Sequence, residues 1–367
     1  MQIIKRPPDG LIIDQNRSII DALALLNKVG TASIRHNLLL VLDDKEKLMG
    51  VVNDGDIRRA FLNGHTQKSP VKEAVKKSPV VAPHSLSSEN LIHLMKTNRI
   101  NNLPVVDKDG KVVYVLCLNE FNDDTDELVA VVMAGGEGQR LKPLTDKIPK
   151  PMLKVGDKPI LQIILESLRN SGFKRIVLNI RYLGHIIEDY FQDGSAFNLD
   201  IKYIHEPKPL GTAGGLGLIP EELRPNSPFL IINGDLLTTL NFEAFREFHI
   251  AAKYDFTLCG RPYEVQVPFG YPVINGDIVT GFREKPSFVH LVNSGIYCIA
   301  PDLIDEVPYR EYFDMPDLIR RAIEKKRRVG VFPLREKFHE IGRQESYEDA
   351  EEFYQNHFCQ KDVQNGK

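Results

Sequence analysis

The amino-acid sequence predicts an α/β protein of two parts, a doubly wound Rossmann-like domain preceded by a smaller α/β module. Three observations lead to this prediction. Apolar strand-like runs alternate with amphipathic helix-like runs after residue 128, which is typical of a doubly wound sheet. A weak internal repeat occupies roughly the first 120 residues. A polar, acidic stretch at 123–127 separates two apolar blocks, so we predict a linker there, with a surface loop inside one domain as the alternative.

The composition limits the classes of protein that the chain can be. Its 367 residues contain 47 Lys and Arg against 50 Asp and Glu, a net charge of −3. A dedicated nucleic-acid binder would usually carry a basic excess, so we expect no nucleic-acid partner. The four cysteines form no Cys-x-x-Cys pair, which argues against a zinc or redox motif and favours a reducing compartment. The N-terminus lacks the apolar core of a signal peptide and no run of about 18 apolar residues occurs, so we expect a cytoplasmic protein without a membrane span.

The first part of the chain contains the same order of predicted elements twice. These elements are helix 18–26, strands 37–42 and 48–52 and helix 54–62 in the first copy, then helix 87–95 and strands 103–106 and 112–118 in the second. Each copy is too small to hold its own core. We therefore predict a paired module with repeats at 1–64 and 65–122.

The second strand of the first copy leads into the segment GVVNDGD at 50–56. This segment and the repeat resemble the tandem cystathionine-β-synthase (CBS) module over about residues 3–122. The resemblance implies a regulatory adenosine site at Asn53 and Asp56, to which an adenine nucleotide would bind. A short carboxylate suits that role because it can accept two hydrogen bonds from a ribose diol.

The second copy departs from the motif. Tyr114, Cys117 and Glu120 stand at its Gly, Thr and Asp positions, so we expect no nucleotide at that copy. A structural or dimerising module, in which Asp56 only begins a helix, is the alternative interpretation of the first copy. CBS modules often pair, and the resemblance therefore leaves a homo-oligomer open.

A glycine-rich segment follows the first strand of the second part. The apolar run 128–134 indicates a buried parallel strand, and Gly-Gly-Glu-Gly-Gln-Arg-Leu follows at 135–141. Glycines there let backbone N–H groups approach an anion, which indicates a phosphate site. A dinucleotide fingerprint would need a third glycine where Leu141 stands, and a Walker loop would need Gly-Lys-Ser/Thr. The remaining interpretation is a loop with two fixed cations, Arg140 and Lys150, against the alternative of a glycine turn beside exposed cations.

The longer pattern, GGxGxRLxPLT at 135–145 followed by PKPM at 149–152, resembles the signature of sugar-1-phosphate nucleotidyltransferases. The resemblance implies a nucleotidyltransferase domain at 128–367 that joins a nucleotide to a sugar 1-phosphate and releases pyrophosphate. It implies catalytic roles for Arg140, Lys150 and Asp235. The nucleotide-binding residues that it implies are Ala134, Gly135, Gly136, Arg140, Glu206, Gly211 and Thr212.

Two acidic residues are candidate magnesium ligands. Asp235 follows an apolar strand at 228–232, and the resemblance makes it a ligand of Mg²⁺, a hard cation that prefers oxygen ligands. A turn role for Asp235 after Gly234 is the alternative. The resemblance implies a second carboxylate late in the chain, and Glu340 in FHEIG at 338–342 stands in that place, where Asp is commoner.

Glu206 opens the segment EPKPLGTAGG at 206–215, which resembles the base-reading loop of these enzymes. An ionised Glu accepts hydrogen bonds and donates none. Guanine offers two donors on one edge, whereas uracil and thymine offer one donor between two acceptors. We therefore predict GTP as the nucleotide, although some uridylyl relatives carry acidic residues nearby.

The sugar-binding residues that the resemblance implies are Gly270, Glu284, Lys285 and Asn293. A solvated charge pair is the alternative for Glu284 and Lys285. CBS repeats ahead of such a domain resemble bacterial guanylyltransferases that make GDP-glucosamine for legionaminic acid synthesis, which implies glucosamine 1-phosphate as the sugar substrate. Mannose-1-phosphate guanylyl transfer and uridylyl or cytidylyl transfer are the alternatives within the family. A nucleotide-sensing regulatory protein with an inactive transferase domain is the alternative from another class.

Overall fold

The computed structural model describes residues 2–29, 38–76, 78–98, 100–119 and 128–359. The chain divides into two compact units, Met1–Asp126 and Glu127–Lys367. The predicted linker at 123–127, Glu120 and the start of the predicted strand 37–42 lie outside the described residues. Among the residues described, no helix is both long and apolar enough to cross a bilayer.

The first unit is built from short strands and helices. They are β1 (Gln2–Arg6), β2 (Ile12–Asp14), α1 (Ile19–Val29), β3 (Leu39–Leu42), β4 (Leu48–Val52), α2 (Asp54–Leu62), a 3₁₀ turn (Val71–Glu73), β5 (Ala82–Pro83), α3 (Ser88–Asn98), β6 (Asn102–Val106) and β7 (Val112–Asn119). In the described part of this unit, one sheet has the order β2-β3-β4 and the other β1-β7-β6-β5.

The two lobes of the first unit exchange chain segments. Strand β1 pairs antiparallel with β7, so the first strand of the chain belongs to the sheet of the second repeat. Val71 and Ala74 pack in the core of the first repeat, together with Ile13 and Ile57. The packing therefore crosses the predicted boundary between residues 64 and 65, because β1 completes the sheet of the second lobe and Val71 and Ala74 complete the core of the first.

The second unit alternates strands and helices before a stretch of long strands. Its elements are β8 (Val129–Met133), β9 (Lys154–Val155), β10 (Lys158–Pro159), α4 (Ile160–Asn170), β11 (Arg175–Ile180), α5 (Gly184–Phe191), β12 (Asp200–His205), β13 (Phe229–Asn233), β14 (Leu236–Thr238), α6 (Phe242–Ala251), β15 (Phe256–Gln266), β16 (Tyr271–Asn275), β17 (Ile278–Arg283), β18 (Ser287–Ile299), α7 (Met315–Glu324), β19 (Val329–Pro333), β20 (Phe338–Glu340) and α8 (Gln344–His357). Its 3₁₀ turns are Gln139–Leu141, Lys150–Met152, Ser195–Phe197, Gly214–Leu218, Glu221–Leu223 and Pro301–Glu306.

The main sheet of this unit has the order β12-β11-β8-β13-β18-β15-β19 within the described residues. Strands β12, β11, β8 and β13 are parallel, whereas β18 runs antiparallel to both of its neighbours. Met133 lies opposite Asn179 on one side and Asn233 on the other, so the parallel strands end level with one another. Ligands in such sheets bind beyond the carboxyl ends of the strands.

Both faces of the main sheet are covered, which follows from its apolar composition. Along β8, Ala130 and Val132 pack into a core with α4, α5, α6 and α8. Val129 and Val131 face the other side and pack with α7 and the 3₁₀ turn before it. Successive side chains of a strand point to opposite faces, so a strand buried on both sides is apolar throughout. The predicted doubly wound α/β class is confirmed.

A long antiparallel hairpin was not predicted from the sequence. Strands β15 and β18 pair from Phe256↔Ile299 out to Gln266↔Ser287, and β16 and β17 form a further ribbon between them in the chain. The outer part of this hairpin, residues 261–292, carries mostly exposed or half-buried side chains, including Phe269 and Phe282. The hairpin makes the sheet mixed rather than wholly parallel.

Candidate active site

The predicted site residues of the second unit lie mostly at the carboxyl edge of the parallel strands. Ala134 follows β8, Glu206 follows β12 and Asp235 follows β13. The backbone N–H of Ala134 donates to the carbonyl of Asn179 at 2.8 Å, and that of Glu206 donates to Ile180 at 2.9 Å. The carboxyl end of β11 therefore binds the first residues of the loops that follow its neighbours β8 and β12.

A hydrogen bond from a buried side chain holds the glycine-rich loop in place. Gly138 has a left-handed backbone with φ of +62°, and its carbonyl accepts a hydrogen bond of 2.9 Å from the Thr145 hydroxyl. Thr145 is fully buried, so this bond anchors the loop to the core. Arg140, in the 3₁₀ turn after the loop, is exposed to solvent. Its guanidinium is free to meet an anion above the loop, since the described residues offer it no acidic partner.

Arg181 fixes the loop at its outer side and was missed by the sequence analysis. Both of its terminal nitrogens donate to Glu137 Oε1 at 3.0 Å, and Gln139 Nε2 donates to Glu137 Oε2 at 2.8 Å. The hydrogen bond from Gln139 and then those from Arg181 lower the pKa of Glu137. Glu137 is thus held ionised and bound to Arg181, the residue that follows β11.

Lys150 and Asp235, predicted separately from segments 85 positions apart, are in direct contact. The Lys150 ammonium donates to Asp235 Oδ2. Their side chains are 14% and 26% exposed, so the pair is shielded but reachable from solvent. Gly234, before Asp235, donates its N–H to the Met133 carbonyl at 2.9 Å, which ties this turn to the end of β8. The predicted phosphate-binding cation and the predicted metal-binding carboxylate therefore lie in contact with each other.

Glu340 lies beside Asp235 because β14 and β20 form an antiparallel ribbon. Leu236 is opposite Glu340, and the Ile341 N–H donates to the Asp235 carbonyl at 2.9 Å. Within the described ranges no group of three or more His, Cys, Asp or Glu side chains forms a metal cage. Two carboxylates suit Mg²⁺, which commonly takes one or two protein carboxylates and completes its octahedron with water and phosphate oxygens. The donor set therefore fits the ion that the sequence predicted.

Glu206 is buried behind the loop, with 9% of its surface exposed. Asn179 Nδ2 donates to Glu206 Oε1 at 2.5 Å. Burial raises the pKa of Glu206, and the hydrogen bond from Asn179 opposes that rise. Asn179 was not singled out from the sequence, where it stands inside an apolar strand.

Gly211 and Thr212 are held by a residue about a hundred positions later. The N–H and hydroxyl of Thr212 both donate to Asp314 Oδ1, at 2.9 and 3.1 Å, and the hydroxyl accepts from the Met315 N–H at 2.8 Å. Asp314 also caps the start of α7. A side chain on Gly211 would meet Asp314 Oδ1 at 2.7 Å, so a glycine is needed for this approach.

A cleft of about 320 Å³ opens between these segments. Residues from the strand ends, the Thr212 segment, β18 and β20 line it, namely Thr212, Asn233, Asp235, Leu236, Asn293, Ser294, Gly295, Tyr297, Asp314, Pro316 and Glu340. Asn293 Nδ2 donates to the Tyr297 hydroxyl at 2.7 Å, while the Gly295 N–H donates to Asn293 Oδ1 at 3.1 Å. Burial raises the pKa of Tyr297 to about 12, so its hydroxyl stays protonated. The predicted sugar ligand Asn293 is therefore held on the cleft wall.

The other predicted sugar residues lie on the exposed hairpin rather than on the cleft wall. A β-carbon on Gly270 would overlap the Glu284 carboxylate and the Phe282 ring, so Gly270 and Glu284 are neighbours. Glu284 and Lys285 are exposed. None of Gly270, Glu284 and Lys285 is among the described residues that line the cleft. The structure brings Asn293 to the cleft and leaves these three outside it.

In the first unit, Asn53 and Asp56 form a reciprocal helix cap. The Asp56 N–H donates to Asn53 Oδ1 at 2.8 Å, and the Asn53 N–H donates to Asp56 Oδ2 at 3.0 Å. Arg59 donates to the other Asp56 oxygen at 2.5 Å. This is the capping-box geometry that begins α2. The contacts match the alternative role of a helix-start residue, and the adenosine site stays a prediction.

Comparison with known proteins gives matches for both parts of the chain. Residues 129–357 match the sequence model of the nucleotidyl transferase family, and residues 2–63 and 71–121 match that of the CBS domain. UTP–glucose-1-phosphate uridylyltransferase of Synechocystis sp. is 33% identical over 215 residues, which are 53% of this chain and 55% of that protein. Mannose-1-phosphate guanylyltransferase of Mycobacterium tuberculosis is 34% identical over 189 residues, which are 50% and 52% of the two chains.

The chain thus spans about half the length of the curated relatives it matches. Among solved structures, HddC from Yersinia pseudotuberculosis aligns over 62% of this chain and 99% of its own, with 29% identity and a TM-score of 0.49. The family match extends over more than half of the chain and includes the cleft residues from Thr212 to Glu340. The chain therefore belongs to the nucleotidyl transferase family, with a pair of CBS domains preceding the family domain in the sequence.

Proposed function

We propose that the chain transfers GMP from GTP to a sugar 1-phosphate, with glucosamine 1-phosphate as the sugar substrate, and releases pyrophosphate. One observation carries the proposal. Thr212 from the predicted base loop, Asp235 and Glu340 from the predicted metal site, and Asn293 from the predicted sugar site line a single cleft. Residues predicted for three different parts of the reaction thus meet around one space.

The reaction needs no protein nucleophile. An oxygen of the sugar 1-phosphate attacks the α-phosphorus of GTP, a new P–O bond forms, and the bond to the pyrophosphate leaving group breaks in line. The work of the protein is to orient the two anions and to neutralise their charge. Arg140 and Lys150 would be the cations for the triphosphate, and Lys285, on the exposed hairpin, the cation for the sugar phosphate; none of the three is among the described residues that line the cleft. Asn293 would bind the sugar ring.

Lys150 and Asp235 support this division of labour because each neutralises the charge of the other. A triphosphate entering the cleft offers Lys150 better-placed anionic oxygens, which frees the Asp235 carboxylate. Asp235 and Glu340 would then hold Mg²⁺, which supplies a second positive charge on the phosphate oxygens when it is bound.

The guanine preference rests on Glu206. Its carboxylate is buried and offers acceptors only, which suits the two N–H groups on one edge of guanine. The named relatives include both a uridylyl and a guanylyl transferase, so their names favour neither base. The sugar is proposed from the arrangement of CBS repeats ahead of the family domain, as in the guanylyltransferases of legionaminic acid synthesis that the sequence resembles.

A pyrophosphate-release assay tests the proposal. The full chain is incubated with Mg²⁺ and each of GTP, UTP, CTP, dTTP and ATP, against glucosamine 1-phosphate, mannose 1-phosphate and glucose 1-phosphate. We expect the fastest release with GTP and glucosamine 1-phosphate. Turnover with UTP but not GTP would refute the guanine preference, and fastest release with mannose 1-phosphate would refute the sugar. No release with any pair would refute the enzyme activity and favour a regulatory protein.

A further inference from the structure

Asn179 lies where two loops of the site meet. It is the penultimate residue of β11 and is 2% exposed. Its backbone carbonyl accepts the Ala134 N–H at 2.8 Å, at the start of the glycine-rich loop. Its side-chain Nδ2 donates to Glu206 Oε1 at 2.5 Å, at the start of the predicted base loop. One residue therefore links the predicted phosphate and base loops.

The far end of the predicted base loop packs directly against the same amide. A β-carbon on Gly215 would overlap Asn179 Nδ2, so the backbone of this segment packs flat against the side chain. Met133 Sδ, 3.8 Å from Nδ2, closes another side. The Asn179 side chain has no room to rotate away, and together with the Leu210 N–H it holds the Glu206 carboxylate.

The orientation of the amide is dictated by charge. Within the part of the chain that the structure describes, the buried Asn179 Oδ1 has no hydrogen-bond donor. A buried acceptor without a donor costs free energy. Turning the amide over would instead place Oδ1 against the Glu206 carboxylate, with oxygen facing oxygen. The unpaired Oδ1 is thus the cost of directing the Nδ2 donor at Glu206.

We propose that Asn179 is the positioning residue for base selection: it holds the Glu206 carboxylate in the orientation that distinguishes guanine from uracil. This inference rests on the proposed function, because it takes Glu206 as the group that contacts the base. Asn179 is not assigned a contact with substrate. Its effect passes through the hydrogen bond from Nδ2 to the Glu206 carboxylate.

Nucleotide binding by the full chain, measured by calorimetry with GTP and with UTP, tests the inference without requiring turnover. Asn179→Leu keeps the volume and removes the donor, and Asn179→Ser replaces the amide by a hydroxyl too short to reach Glu206. In each variant we expect the Kd for GTP to rise by about tenfold to a hundredfold and the Kd for UTP to change by less than about threefold. The preference for GTP over UTP would therefore collapse.

Val177→Ala is the matched control. Val177 is fully buried two residues earlier on the same strand and the same face of the sheet, and its side chain carries no hydrogen-bonding group. We expect it to lower the melting temperature while leaving the ratio of the two Kd values unchanged. A purely structural role for Asn179 predicts the same pattern for its variants, so an unchanged ratio in either folded Asn179 variant would overturn the inference.

The design separates this inference from the proposed function. A wild-type chain that binds UTP more tightly than GTP refutes the guanine preference and leaves Asn179 to be judged on its own. The Asn179 variants should then lose the preference for UTP, and they overturn the inference if they keep it. If both variants fail to fold, Asn179→Thr replaces them. Its β-branched side chain suits a strand and its hydroxyl is too short to reach Glu206, so retention of the wild-type Kd ratio would again overturn the inference.

Discussion

Substitution of Gly138 by alanine is the sharpest test of the glycine-rich loop. Gly138 has φ of +62°, and a β-carbon there would lie 2.9 Å from Thr145 Cγ2 and 3.0 Å from Lys150 Cβ. The left-handed conformation costs a residue with a side chain about 1 kcal/mol. Displacing a neighbouring side chain from its rotamer costs roughly another 1 kcal/mol. Gly138→Ala therefore destabilises the second unit by about 2 kcal/mol, which lowers the melting temperature of a domain of this size by roughly 4–8 °C.

The strain falls on Lys150 rather than on Thr145. Thr145 is fully buried and hydrogen-bonded to the Gly138 carbonyl, whereas Lys150 is partly exposed. Because the contact is with Lys150 Cβ, a small shift of the Lys150 backbone relieves it and carries the whole side chain along. A shift of Lys150 moves its ammonium away from Asp235 and from the proposed triphosphate site. We expect kcat to fall by at least about tenfold, since misplacing a positioning group by about 1 Å costs as much or more.

Gly136→Ala is the control for stability. Gly136 lies two positions earlier in the same loop, and a β-carbon there would have no atom within 4 Å. Calorimetric melting of the wild type and the two variants, followed by the pyrophosphate assay, measures both effects. If Gly138→Ala has the same melting temperature as Gly136→Ala and keeps the wild-type kcat, neither the left-handed strain nor the contact with Lys150 is present.

Three further outcomes follow from the contacts of the second unit. Lys150→Ala and Asp235→Asn should each lower kcat by about a hundredfold or more with little change in the circular dichroism spectrum, and near-wild-type kcat in either would refute their roles. Burial, and secondarily Arg246, lowers the pKa of His249 from 6.5 to about 4, so the unfolded chain binds the additional proton between those values. Stability should fall by about 3 kcal/mol as the pH falls through that window, and urea denaturation of His249→Gln should show a flatter dependence. Asp314→Ala removes the acceptor of Thr212 and the cap of α7, so it should lower the free energy of unfolding by about 1 kcal/mol and raise the KM for nucleotide. An unchanged KM would show that Asp314 has no role in nucleotide binding.

The strands that form the carboxyl edge could be predicted because their sequences are locally unambiguous. The β13 run at 229–233 and the β11 run at 175–180 are apolar over most of their length, and the structure has those strands at the same residues. A strand buried on both faces leaves a continuous apolar signal that does not depend on its partners. The loops after such strands are then expected at one edge, which is where Ala134, Glu206 and Asp235 lie.

The hairpin of β15 to β18 could not be predicted in the same way. Its outer ribbon is exposed on both faces, so Tyr263, Val265 and Phe282 follow no buried-face alternation. Its pairing joins Gln266 to Ser287 across the β16 and β17 ribbon, and nothing in the local spacing specifies that register. The predicted sugar residues Gly270, Glu284 and Lys285 lie on this hairpin. The motif that suggested them therefore could not show that they are outside the residues lining the cleft.

Contacts between distant segments could not be predicted from the sequence for a related reason. Arg181 reaches Glu137 and Asp314 reaches Thr212 only because strand ends and a helix start converge in space. Each of these residues has an ordinary local explanation: Arg181 follows the last residue of a strand and Asp314 caps a helix. A residue that satisfies its local role gives no sign that it also holds a loop.

Asn179 is the exception that carried a signal. It stands between Leu178 and Ile180 in a strand whose other central residues are buried and apolar. An amide in that environment is costly unless it is hydrogen-bonded, so its presence one residue before the carboxyl end of a parallel strand predicts a polar partner at the ligand-binding edge. Glu206 is that partner. A polar residue that interrupts an otherwise apolar strand therefore indicates this site as the glycine-rich motif does, because a hydrogen bond at this edge offsets the free-energy cost of burying the amide.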